Sequence, residues 1–161
     1  MLIPAISLGM IRGGWWRMAI AGTNEEKFRE LFSSVFGEGI LKGSETFRSS
    51  SAEVSISVDA TVKIGSKKIL FEIDSGNYAK LLVGQYVLLN QIIDDSEEVL
   101  FVIVHYYKDY NEERTQRNLE FINNTLYNNK GIQFKVYTAT SFETEILNYK
   151  TIEEYVEAEF S

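Results

Sequence analysis

Hydrophobic and polar positions follow two different periods along this chain, and the switches between them mark its elements. Phe28, Leu31, Phe32, Val35 and Phe36 recur at helical spacing and predict a helix over 24–36. Thr23 and Glu26 stand in front of that stripe at capping-box spacing, and Gly37 follows as a stop. Residues 38–52 hold no steady period and are expected to form a loop or an irregular edge strand. From Val54 to Val62 the period becomes two: Val54, Ile56, Val58, Ala60 and Val62 alternate with Ser55, Ser57, Asp59 and Thr61, as in a half-buried strand. Gly65-Ser66 is a two-residue turn signal, and Ile69, Phe71 and Ile73 form the next apolar face.

Further along, residues 78–93 form a long proline-free apolar stretch that predicts a largely buried helix. Val99 to Val104 is a continuous apolar run, the pattern of a strand covered on both faces. A helix is expected over 112–128, with Leu119, Ile122 and Leu126 inward, and a strand over 132–138. Ser141 and Thr151 each open a short C-terminal helix, the second with Glu154 at capping-box spacing. A hairpin followed by strand–helix–strand units predicts an α/β fold: a mixed β-sheet with helices on both faces. One domain over 1–161 is expected, with C-terminal helices in 141–160.

Composition narrows the function classes. Apolar residues make up 45% of the 161, enough for a sizeable core. There is no cysteine, which excludes a disulfide scaffold, a cysteine-ligated zinc site and a thiol nucleophile. No apolar run has the length of a membrane span and no signal-peptide pattern stands out, so a cytoplasmic protein without membrane contact is expected. No phosphate-binding glycine loop of the G-x-x-x-x-G-K-[ST] kind occurs, which disfavours a nucleotide cofactor. The formal charge of −7 argues against strong binding of nucleic acid by this chain alone.

Chemistry concentrates in the hairpin. With Gly65-Ser66 as the turn, Val62 faces Ile69, Ala60 faces Phe71 and Val58 faces Ile73. The opposite face then sets Asp59 across from Glu72, and Ser57 across from Asp74. Three carboxylates within two rungs are unfavourable unless water or a cation separates them. Hard oxygen ligands of this type suit Mg²⁺ or Mn²⁺. Lys63 and Lys68 share that face but lie about 13 Å along the strands from the acids, where they would meet solvent or DNA backbone. On helix 24–36, Glu25 lies about 50° from the centre of the apolar stripe, whereas Glu26 and Glu30 point away. His105 follows the central strand and reads as structural. Trp15 and Trp16 are candidates for a partner surface.

An Asp late in one strand, a hairpin turn, then an acid-x-residue motif on the next strand followed by a helix resembles the PD-(D/E)XK nuclease superfamily. The matching residues are V-D-A around Asp59 and F-E-I-D-S-G from Phe71 to Gly76. The resemblance spans about 23–138. It implies a restriction-endonuclease-like core in which Asp59 and Glu72 bind a divalent metal for phosphodiester hydrolysis. The chain departs from the pattern where the family usually has lysine: Asp74 stands there. By resemblance, Asp74 binds metal or positions the attacking water, Lys80 replaces the missing lysine, and Glu25 supplies an added acid. Gln85 is similar to a helix glutamine in several nuclease branches. Ser75 and Asn77, together with Lys63 and Lys68, are the DNA-contact candidates. A catalytic domain without a DNA-reading module resembles the small subunit of heterodimeric type IIS restriction endonucleases. The expectation is a Mg²⁺-dependent DNA endonuclease subunit that cuts one strand, with a larger partner chain recognising the site. A stand-alone homodimeric repair or junction-resolving nuclease and a non-catalytic interaction module are the alternatives.

Overall fold

In the computed structural model the described residues are 14–76, 78–94, 96–108 and 111–161, with backbone alone for 14–21. The side chains of Trp15 and Trp16, and all of Asn77, lie outside that description. Five helices and six strands follow in the order α1 (Gly14–Phe36), β1 (Glu45–Arg48), β2 (Ser55–Val58), β3 (Ala60–Ile64), β4 (Lys67–Asp74), α2 (Ala79–Ile92), β5 (Glu98–His105), α3 (Glu113–Tyr127), β6 (Gln133–Thr138), α4 (Ala139–Ile146) and α5 (Ile152–Glu159).

The main sheet runs β3-β4-β5-β6. β3 is antiparallel to β4, while β4, β5 and β6 are parallel. Its apolar residues divide by parity between two layers. Ala60, Val62, Ile69, Phe71, Ile73, Leu100, Val102 and Val104 meet α1, α4 and α5 on one face. Leu70, Val99, Phe101 and Ile103 meet α2 and α3 on the other. The sheet is therefore mixed and covered by helices on both faces. Phe71 anchors the first layer, its ring 5.2 Å from Phe28 and 5.6 Å from Phe32. Among the described residues no helix is long and apolar enough to cross a membrane.

Three local expectations change. Helix α1 begins nine residues before Thr23, so Thr23 lies inside it rather than at its N-terminus; no proline stops the helix, and interior Gly22 costs only about 1 kcal/mol. In the segment 38–52, expected as a loop or an irregular edge strand, the structure forms the short edge strand β1, which pairs with β2 in a separate two-stranded sheet. Helix α4 is capped by Thr138, with Ser141 completing the capping box as its third residue rather than opening the helix. Leu126 is 58% exposed, because Tyr127 takes the inward place in the last turn of α3, edge-on to Tyr86. Thr151 caps α5 by accepting from the Glu154 N–H.

Candidate active site

The hairpin register is the one its turn dictates: Ala60 pairs with Phe71, Val62 with Ile69 and Ile64 with Lys67. The ladder ends at Ala60, however, and the strand expected over 54–62 breaks at Asp59. The Asp59 N–H still donates to the Phe71 carbonyl at 3.0 Å. Beyond it the Asp59 side chain takes over, and Oδ2 accepts from the Ile73 N–H at 2.7 Å. A carboxylate thus closes the ladder where backbone would otherwise continue. The break swaps layers. Val58 packs with α2 although Ala60, two residues on, packs with α1. Val58 is therefore not paired with Ile73, nor Ser57 with Asp74. Ser57 instead offers its carbonyl to Gln85.

Glu72 and Asp74 project from β4 toward the α2 side, by the same parity as Leu70. Gln85, from the buried face of α2, donates from Nε2 to Glu72 Oε2 at 2.7 Å and to the Ser57 carbonyl at 2.9 Å. It ties β2, β4 and α2 together at the site. Burial, and then the nearby Asp59 charge, push the Glu72 carboxyl up to about 8. Burial is also the main cause that raises Asp59, with the Glu25 and Asp74 charges adding to it. The Ile73 N–H and the Arg29 guanidinium work the other way. Among the described residues no hydrogen bond engages Asp59 Oδ1 or Glu72 Oε1.

Asp74 is differently placed. Its Oδ2 lies 2.7 Å from His105 Nδ1, its neighbour across β4–β5, and its Oδ1 accepts from the Gly76 N–H at 3.2 Å. His105 Nε2 in turn lies 3.1 Å from Thr115 Oγ1 on α3. Asp74, His105 and Thr115 are all buried. Asp74 lines the cleft, but both of its oxygens are engaged, so of the three hairpin acids it is the least available to a cation.

Helix α1 brings up the other wall. Glu25 lines the cleft, and its charge acts on both Asp59 and Glu72. One turn later Arg29 donates to the Asp59 carbonyl at 3.4 Å. Asn24 donates to Ser75 Oγ at 3.0 Å, fixing α1 to the loop after β4. Arg29 escaped the sequence reading, although its i,i+4 spacing from Glu25 puts the two on one side of the helix. His105 also gains a role not legible from its position alone, as the partner that holds Asp74.

Of the remaining candidates, the lysines sit away from the cleft lining and Ser75 belongs to it. Lys80 is exposed on α2 and is not among the residues lining the cleft. Lys63 pairs with Lys68 near the turn. Lys68 forms an ion pair with Glu45 and stands over the Phe47 ring. Ser75 lines the cleft; Asn77 is outside the described residues.

The cleft itself is open and measures about 610 Å³. Its floor holds Asp59, Glu72 and Asp74, and Glu25 stands on the wall. Most of the rest is apolar, from Ile56, Tyr78, Leu81, Leu82 and Leu88. No Lys or Arg occurs among the described lining residues. A second depression of about 460 Å³ opens at the other end of β5, beside Asn90, Asp94 and Lys130. Asp94 there is exposed, and the Ser96 N–H lowers its pKa, the opposite of the shifts at Asp59 and Glu72.

Among the described residues no three His, Asp or Glu side chains converge as a complete metal-ligand set. The donors present nonetheless suit Mg²⁺ or Mn²⁺. That class of ion is commonly held by one or two carboxylates, with water and substrate phosphate filling the other positions. Asp59 and Glu72 each keep one oxygen without a protein partner among the described residues, and a cation bound there would offset the burial that raises both and the neighbouring acid charges that add to it. Set against known proteins, the chain matches no protein-family model and no curated sequence.

Proposed function

We propose that this chain is the catalytic part of a divalent-metal-dependent DNA endonuclease, with Asp59 and Glu72 as its metal-holding pair. One observation carries the reading. Two half-committed carboxylates, both held above their ordinary pKa, line one open cleft, and the charge of the first acts on the second. Carboxylates so placed cost folding energy without a cation, and such strain marks functional sites. A Mg²⁺ or Mn²⁺ ion bound there would supply Lewis-acid activation of water and of the phosphate.

The protein's own groups have separable tasks. Gln85 holds the Glu72 carboxylate by one oxygen and leaves the other toward the cleft. The Ile73 N–H does the same for Asp59. Asp74 adds negative charge that favours a cation nearby, while His105 and Gly76 keep its oxygens in place. Glu25 supplies a further acid from α1 at the wall of the cleft. The order of elements and the spacing of the acids support a restriction-endonuclease-like core.

The lining also supports dependence on a partner. Phosphate contacts from Lys and Arg supply most non-specific DNA affinity, and the net charge is −7. DNA affinity and site recognition are assigned to a larger second chain, as in heterodimeric type IIS restriction endonucleases. The test is strand cleavage by the assembled enzyme on a labelled duplex with Mg²⁺. Asp59→Ala should leave an enzyme that nicks one strand only. Continued double-strand cutting by that variant would refute the proposal.

A further inference from the structure

We infer that Tyr78 and Leu81, at the lip of the cleft, receive the base of an unpaired nucleotide next to the scissile phosphate. The inference rests on the phosphodiester reading above and adds the class of substrate the cleft accepts.

Two large side chains that ought to be covered are not. Tyr78 is 58% exposed and Leu81 66% exposed, yet both line the cleft that holds Asp59 and Glu72. Scattered surface apolar residues need no explanation, but exposed ones gathered in a concave site point to a ligand. Tyr78 is also held in place. It is the N-cap residue of α2, and its ring lies so close over Gly76 that any Cβ there would strike it. The loop carrying it is pinned at Gly76 by Asp74 and at Ser75 by Asn24.

The occupant follows from the two halves of the cleft. One half is anionic and calls for a cation; the other is apolar with an exposed ring. A nucleotide matches both, since its phosphate can share a metal with Asp59 and Glu72 while its base stacks on the ring. Single-stranded bases are held by stacking on aromatic side chains beside positive charge that meets the backbone; here the exposed Tyr78 ring offers the stacking face, and a cation at the carboxylates would supply the positive charge that the lining lacks. A volume of about 610 Å³ suits a ligand of nucleotide size. An apolar protein segment fits less well, because it would bury the carboxylates with nothing to answer their charge. A paired base would keep its faces inside the duplex stack and leave Tyr78 bare, so the nucleotide is unpaired or turned out of the helix.

The test uses single-stranded DNA of about six nucleotides, within the length such sites span, carrying 2-aminopurine at successive positions. Fluorescence is read with Ca²⁺, and cleavage is read separately with Mn²⁺. Wild-type protein should quench one position. Tyr78→Ala should weaken that binding about 5- to 100-fold, and Tyr78→Phe should restore it. Absence of quenching, or quenching unchanged in Tyr78→Ala, overturns the inference. Tyr78-dependent quenching without any cleavage supports base docking and leaves the hydrolase reading to the strand-cleavage assay of the assembled enzyme. Cleavage that is indifferent to Tyr78, and as fast on duplex as on single strand, overturns base docking and leaves the hydrolase reading standing.

Discussion

Glu72→Gln removes one titrating carboxyl and little else. The side chain keeps its shape, and its amide oxygen can still accept from Gln85 Nε2, which lies 2.7 Å from Glu72 Oε2. In the wild-type protein this carboxyl is pushed from its ordinary 4.5 up to about 8, first by burial and then by the Asp59 charge. The folded state therefore holds a proton that the unfolded chain releases between those values. Stability from this group is fully present below about pH 4.5 and is lost as pH rises through 8. The full separation sets a ceiling of about 5 kcal/mol. Partial exposure of Glu72 and local relaxation reduce the expected loss to about 2–3 kcal/mol. Urea unfolding followed by circular dichroism at pH 5, 7 and 9, with a chelator present, measures it. Wild type and Glu72→Gln should agree within about 1 kcal/mol at pH 5. At pH 9 the variant should be the more stable by about 2–3 kcal/mol, or about 4–10 °C in Tm. Glu159 is common to both proteins and cancels in the difference, whereas Asp59, whose charge acts on Glu72, belongs to the effect being measured. Two stability curves that stay parallel from pH 5 to 9 would refute the argument.

Two further outcomes follow from the hydrogen bonds around the site. His105→Leu leaves the buried Asp74 without its 2.7 Å partner and should destabilise by about 3 kcal/mol in urea, whereas Thr115→Val, at the far end of the same chain of contacts, should cost about 1 kcal/mol. Gln85→Leu removes the donor shared by Glu72 and the Ser57 carbonyl, so the Glu72 carboxyl should titrate still higher by carboxyl NMR, with a stability loss of about 1–3 kcal/mol at pH 5.

Much of the frame was readable because turn chemistry and periodicity agreed. Gly65 has φ of 61°, a conformation glycine adopts freely, and that turn set the β3–β4 register seen in the structure. The unbroken apolar run at Val99–Val104 foretold a strand covered on both sides. The break at Asp59 was not readable. Val58, Ala60 and Val62 keep perfect alternation, and since both layers are apolar, parity cannot reveal that Val58 joins one and Ala60 the other. The cap at Thr23 fails for a related reason: local cap chemistry yields when the helix can simply continue upstream. At the site, the helical wheel shows which side of α1 carries Glu25, and the structure sets that side against the cleft. The engagement of Asp74 by His105 is invisible in the chain, because the partners are 31 residues apart and meet only through the parallel pairing of β4 and β5. Arg29 was missed because its contact is with a backbone carbonyl, which no side-chain motif announces.

The central claim is that Asp59 and Glu72 together hold a divalent cation. Calorimetric titration of Mn²⁺ into wild type, Asp59→Ala and Glu72→Ala at pH 8 tests it most directly. The account predicts saturable binding to the wild type, with proton release as Glu72 ionises, and loss of that binding in both variants. Binding that survives in either variant, or no wild-type binding at millimolar Mn²⁺, would contradict it.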